Sequence, residues 1–247
     1  MKLFPRACIA AAAALLLASP GGARPIVYAH STTVMADYSA DVMREAQISY
    51  APRYYWSFGL GHVEFEGHGA GSQQEITFGR LNFLAKRWNF EAAQANVFVW
   101  GGAGNVRTSE WIPEVTVPGD PGEHDHGGGS GGTTVPGYER NLSDIAWNAG
   151  AQVDYETRRI YTAIRTDAYQ SSIFEHRTDT FQFGVAPYKH DTNTLATWLV
   201  ASATRYSSAQ HDETEYALLL RLFRKRAWIE AGATLDGKLR ARAMFSL

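Results

Sequence analysis

At the end of the chain, Leu239, Ala241, Ala243, Phe245 and Leu247 alternate with Arg240, Arg242, Met244 and Ser246. A period of two, with one apolar face and one mostly polar face, predicts a β-strand. Just before it, Ala227, Ile229, Ala231, Ala233 and Leu235 alternate with Trp228, Glu230, Gly232 and Thr234. Asp236-Gly237 joins the two runs, and Asp-Gly is a strong signal for a tight hairpin. Tyr216, Leu218, Leu220 and Leu222 share a face one strand earlier, with Arg224-Lys225-Arg226 as the turn. The middle of the chain repeats the scheme: Ile145, Trp147, Ala149, Ala151, Val153 and Tyr155 alternate with Asp144, Ala146, Asn148, Gly150, Gln152 and Asp154. Phe181, Phe183 and Val185 form another apolar face. The alternation blurs in 195–206 and 75–84, where both faces carry apolar residues.

Read from the start, the pattern predicts strands at 27–37, 41–50, 53–65, 75–85, 88–103, 143–156, 158–170, 178–188, 194–206, 214–223, 227–235 and 239–247. Their connections alternate in length. Turns near Ala51-Pro52, Lys86-Arg87, Thr157, 189–193 and 224–226 are short; loops 66–74, 104–142, 171–177 and 207–213 are longer. Short periplasmic turns opposite long extracellular loops are the outer-membrane pattern. The expected fold is therefore all-β: a closed antiparallel transmembrane barrel of about twelve strands, ten being the alternative because pattern-based boundaries move by a few residues. A bilayer demands such closure, since every backbone N–H and C=O in hydrocarbon must find a partner within the protein. The apolar faces then look outward. Asp144, Asp154, Arg159, Arg165, Asp167, Arg221, Glu230, Arg240 and Arg242 look inward and line the lumen. Barrels near eight strands fill with side chains and those near sixteen hold channels, so the pattern leaves both an open and a plugged lumen in play.

The first residues carry a different signal. Lys2 and Arg6 precede an Ala/Leu run at 10–17, followed by small residues to Ala23. This reads as a secretory signal peptide over 1–23, with cleavage after Ala29 as the alternative. The barrel is then 24–247, with a long extracellular loop at 104–142. Cys8 heads the apolar run rather than ending it, which argues against a lipid anchor. No later stretch reaches the roughly 18–20 apolar residues a membrane helix needs. With 23 basic and 25 acidic residues, no basic excess points to nucleic acid. Tyr54, Tyr55, Trp56, Trp88, Tyr188 and Trp228 fall near the proposed periplasmic turns, where an interfacial aromatic girdle belongs.

The ending Arg242-Ala243-Met244-Phe245-Ser246-Leu247 resembles the C-terminal signal of outer-membrane barrels, although that signal usually finishes in an aromatic. The resemblance implies the outer membrane of a Gram-negative bacterium, with the lipid bilayer and the barrel-assembly machinery as partners. More narrowly, residues 30–38 (His30-Ser31-Thr32-Thr33-Val34-Met35-Ala36-Asp37-Tyr38), Lys86-Arg87-Trp88-Asn89, 94–104 and Asp154-Tyr155-Glu156-Thr157-Arg158-Arg159 resemble an uncharacterised proteobacterial family associated with copper and heavy-metal resistance genes. That resemblance implies a link to metal stress and no catalytic residue.

Candidate chemistry is sparse. Glu123-His124-Asp125-His126 precedes a Gly/Ser run, and imidazole with carboxylate suits copper or zinc. A solvated surface loop has the same composition and is the preferred reading, because glycine raises the entropy cost of ordering a site. Cleavage after Ala29 would give His30 a free α-amino group beside its imidazole, a copper-chelating pair. No resident cofactor is expected. Ser207, Ser208, His211, Asp212 and His176 are the only serine, histidine and aspartate candidates for a hydrolase, and no spacing recommends them. The sequence thus predicts a non-enzymatic small channel or surface protein linked to metal stress, passing small solutes or metal ions. The alternatives are a soluble periplasmic barrel binding a small apolar ligand and an outer-membrane hydrolase.

Overall fold

Strands form where the two-residue alternation runs, because only the extended chain puts every second side chain on one face. The computed structural model describes residues 28–66, 73–112, 114–117, 133–189, 194–208 and 212–247. They form β1 (Ser31–Ser39), β2 (Met43–Arg53), β3 (Trp56–Glu66), β4 (Gln73–Asn89), β5 (Ala93–Ile112), β6 (Val115–Val117), β7 (Thr133–Val135), β8 (Tyr138–Thr157), β9 (Ile160–Gln170), β10 (Glu175–Val185), β11 (Ala196–Ser208), β12 (Asp212–Arg224), β13 (Ala227–Thr234) and β14 (Leu239–Ser246). Twelve of them make a closed antiparallel barrel of neighbours, while β6 and β7 pair separately. Closure runs through β1 and β14, with Ala36 opposite Ala243 and Asp37 opposite Arg242. Ser31 and Ser246, the outer ends of β1 and β14, therefore lie at one end, here the near end; Glu66, Gln73, Gln170, Glu175, Ser208 and Asp212 lie at the far end.

The faces separate as alternation requires. Ile48, Leu60, Leu81, Ile145, Trp147, Ile164, Phe181, Leu199, Leu218 and Leu220 are exposed on the outside of the barrel. Asn82, Asn96, Gln152, Asp154, Asp167, Arg221, Glu230 and Arg240 are buried within it. The expectation of an all-β closed barrel of about twelve strands holds, and the count is twelve.

Several boundaries differ from the pattern. Lys86-Arg87 is strand rather than turn. A bulge between Leu84 and Lys86 absorbs the irregularity, and the turn falls at 90–92. Such an extra residue lets a ladder continue after a local kink; here Arg87 Nε donates to Asn96 Oδ1 across it, at 2.7 Å. Loop 104–142 is also shorter than its residues suggest. β5 and β8 stay paired out to Ile112 opposite Tyr138, so 104–112 and 138–142 are strand. Mixed polarity hid this, because Gly104, Asn105, Arg107, Thr108 and Ser109 show no apolar alternation around the buried Val106. Trp228 does not join an outer girdle. It is 1% exposed and faces inward, as its place between Ala227 and Ile229 in the alternation dictates. The signal peptide lies outside the described residues.

Glycine matters at two positions. Gly237 takes φ +88° in the β13–β14 hairpin, the left-handed region its missing side chain permits. At Gly150 an added Cβ would stand 2.4 Å from the Trp100 indole, so this glycine makes room for the ring beside the lumen's central charges.

Candidate functional site: a partitioned lumen

The interior is divided by side chains rather than left as an open tube. On β14, Arg242 Nε donates to Asp37 Oδ2 of β1 at 2.6 Å. On β9, Arg165 Nε donates to Asp167 Oδ2 at 2.6 Å, and Trp100 Nε1 donates to the other oxygen at 2.8 Å. Arg80 of β4 reaches the same group: its Nη2 is 3.6 Å from Asp167 Oδ1 and its Nη1 3.9 Å from Glu45 Oε1 of β2. Its Nε donates to Asn148 Oδ1 and its Nη2 to the Tyr169 hydroxyl. These groups form a layer: Arg80 and Asp167 tie β2, β4, β5, β8 and β9 across the barrel, and the Asp37–Arg242 pair of β1 and β14 lines the same cavity as Arg165 and Asp167.

Cavities lie on both sides of that layer. The near-end chamber has a volume of about 50 Å³ and is lined by Met35, Gln47, Gln152, Tyr161, Trp228 and Met244 below a roof of Arg80, Arg165 and Arg242. The far-end chamber has a volume of about 30 Å³ and is lined by Asp37, Glu45, Asp167, Tyr169 and Tyr206, with Arg165, Arg240 and Arg242. A single water needs about 10–15 Å³ on this measure, so each chamber holds a few. Arg165, Thr180 and Arg242 line both and are the partition between them. Beside the far chamber the wall is apolar: Val63, Phe65, Ile76, Phe78, Val106 and Phe174 pack as one cluster.

Two further networks brace the wall. Arg221 Nε donates to Glu230 Oε2 at 2.7 Å, and its Nη2 donates to Gln182 Oε1 at 2.9 Å. The guanidinium also lies 4.2 Å from the Tyr161 ring centre and 5.2 Å from that of Trp228. Asn96 Nδ2 and Gln152 Nε2 donate to the two oxygens of Asp154 at 2.6 and 3.1 Å. Arg221 and Glu230 are thus paired and hydrogen-bonded and Asp154 is hydrogen-bonded, as burial requires, whereas Glu45 Oε1 has the Arg80 guanidinium at 3.9 Å and no hydrogen bond among the described residues.

Of the residues expected in the lumen, Asp154, Arg165, Asp167, Arg221, Glu230, Arg240 and Arg242 lie inside the barrel. Arg159 does not: it is exposed in the near-end turn, where its guanidinium donates to the carbonyls of Ala186 and Pro187. β9 begins at Ile160, two residues later than the pattern predicts, because the Thr157 hydroxyl accepts the Arg159 and Ile160 amides in the turn. Asp144 sits at the far rim, its carboxylate accepting the Ser172 amide and hydroxyl at 2.8 and 2.7 Å. Sequence reasoning missed Asp37, Glu45 and Arg80. Arg80 shares an inward face with Ile76 and Phe78, so the polar mark of that face was diluted.

The metal candidates His124, Asp125 and His126 lie outside the described residues, as does His211. His30 is exposed with φ 57°, and its amide donates to Ala51 O. His176 is buried inside the far half of the barrel, 4.2 Å from the Phe65 ring and 3.1 Å from the Thr178 hydroxyl. It stands opposite Ser208 in register, while Ser207 approaches Asp212, whose carboxylate is engaged by Arg205.

At the far mouth, Lys238 in the β13–β14 turn holds its Nζ 3.4 Å from Glu215, 3.9 Å from Glu213 and 3.7 Å from Asp236. Partial burial pulls its pKa down, but the Glu215 hydrogen bond and the surrounding carboxylates outweigh this and hold the ammonium above its ordinary value. A group raised on folding stabilises below its unfolded pKa, near 10.4 for lysine, and that contribution is lost as pH rises through the folded value. Glu215→Gln is expected to lower the Lys238 midpoint, read by NMR on ¹³C-methylated lysines. An unmoved midpoint would remove Glu215 as the main partner.

No family model, curated protein or solved structure matches the chain.

Proposed function

We propose that the protein is an outer-membrane barrel that admits only small solutes or ions through its partitioned lumen. The observation that carries this reading is the separation of faces: exposed leucine, isoleucine, phenylalanine and tryptophan outside, paired charges inside. A soluble barrel holding an apolar ligand needs the reverse. On β8 the outward apolar residues run from Tyr155 to Ile145, about 33 Å of strand and about 25 Å of height once tilted near 40°. That height suits a bilayer's hydrocarbon core. Above it the outer face of β3 and β4 turns polar, with His62, Glu64, Thr77 and Glu75. Tyr54, Tyr55, Trp88 and Tyr188 are exposed at the near end, which this reading makes periplasmic. Chambers for a few waters support a narrow conduit rather than a wide diffusion pore.

Fractionation tests the placement. The protein is expected in the outer-membrane pellet, extracted only with detergent, and faster on unboiled than boiled gels. Recovery in a detergent-free periplasmic extract would end the reading. The link to metal stress rests on the family resemblance and on His124 and His126. Calorimetry with copper or zinc separates the two readings of that loop: a metal site gives heat that His124→Ala/His126→Ala removes, and a solvated surface loop gives none at micromolar metal, which ends that part.

A further inference from the structure

We propose that the near-end chamber is a binding site for a small inorganic anion, and that Arg80, Arg165 and Arg242 make any path through the barrel anion-selective. The second clause rests on the channel reading above; the first stands without it.

The sorting of charges about the partition carries this inference. The three guanidinium groups line the near chamber, and none of the carboxylates that pair with them does. Asp37, Glu45 and Asp167 instead line the far chamber. The near chamber therefore carries three cations and no carboxylate, whereas the far chamber balances Asp37, Glu45 and Asp167 against Arg165, Arg240 and Arg242. Fixed charges with low-dielectric walls around them focus the field and concentrate counter-ions. A carboxylate can engage two of the five donors on a planar guanidinium, so pairing on the far side does not exhaust the fork.

The remaining lining suits an acceptor. Trp228 and Tyr161 stand in the wall, and the Trp228 Nε1–H has no hydrogen-bond partner among the described residues. Gln47 and Asn82 add amide donors. Among the described residues that line it, the only titratable group besides the arginines is the Tyr161 hydroxyl, so none of them is an anion that would compete. A cavity of about 50 Å³ fits a halide or small oxyanion with a water or two, and excludes a sugar or peptide. Charged groups around a narrow passage bias which ion passes.

Two measurements on the full-length folded protein separate the clauses. In detergent solution, exchange with a protein site broadens the ³⁵Cl NMR line. Excess broadening is expected for the wild type, to fall several-fold in Arg165→Gln and Arg242→Gln, to persist in Arg242→Lys, and to be unchanged in the surface variant Arg177→Gln. Heat-modified migration on gels confirms that each variant is folded. No excess broadening, or equal broadening in all folded variants, would overturn the anion site. In planar bilayers under a tenfold KCl gradient, the reversal potential is expected to favour chloride, with the chloride-to-potassium ratio falling several-fold in Arg242→Gln. Conductance that prefers potassium would overturn the selectivity clause and leave the channel standing. Broadening without conductance would overturn the channel and leave the anion site.

Discussion

Arg221→Met should destabilise the barrel by about 3–5 kcal/mol, the range for removing one partner of a buried pair and leaving an uncompensated charge behind. The side chains of Arg221 and Glu230 are only 5% and 4% exposed, and Gln182 joins them by hydrogen bonds to both. Glu230 would keep only the Gln182 amide at 3.2 Å while losing its cation. Removing both charges is a different case, because neutral or apolar replacements of a buried pair are often harmless. Arg221→Met combined with Glu230→Gln is expected to recover most of the loss. Urea unfolding in lipid vesicles, followed by tryptophan emission, gives both values. If the single and double variants lose equally, the pair is not what holds β12, β13 and β10 in place. A single-variant loss under about 1 kcal/mol, typical of exposed pairs, would mean that water solvates the pair.

The outer face of this barrel was legible because nothing disturbed it. Leu218, Leu220, Ala231 and Ala241 alternate cleanly with Leu219, Arg221, Glu230 and Arg240, and each occupies the side the period dictates. The lumen was only half legible. Asp154, Asp167, Glu230 and Arg242 stand out as charges in otherwise apolar stretches. Arg80 and Glu45 do not, since the barrel interior mixes an apolar cluster at Phe65, Ile76 and Phe78 with polar layers. Which charges meet was not legible at all. Arg80 and Asp167 are 87 positions apart, and their contact depends on barrel closure rather than on local spacing. Trp228 shows the converse error. Position near a turn favoured the girdle, whereas strand parity placed the ring inside, and parity is the stronger constraint because a one-residue slip would turn the whole strand over.

The sharpest test of the membrane reading is a charge placed on the outer face at two depths. Leu218 and Thr214 share the outward face of β12. Leu218 is 55% exposed in the middle of the apolar stretch from Tyr216 to Leu222, while Thr214 is exposed one step beyond it, toward Asp212. In a bilayer, arginine near the midplane of a barrel's lipid face costs about 2–4 kcal/mol, falling to about 0–1 near the interface. Leu218→Arg is therefore expected to lose about 2–4 kcal/mol in urea unfolding from vesicles, and Thr214→Arg to lose little. Neither substitution removes a hydrogen bond of the ladder or touches the lumen, so packing loss contributes equally little to both. In water the order has no reason to hold, since an arginine on a solvated strand face is nearly neutral. A Leu218→Arg protein as stable as the wild type would mean that the leucine stripe faces solvent, and the channel with its anion selectivity would lose its setting.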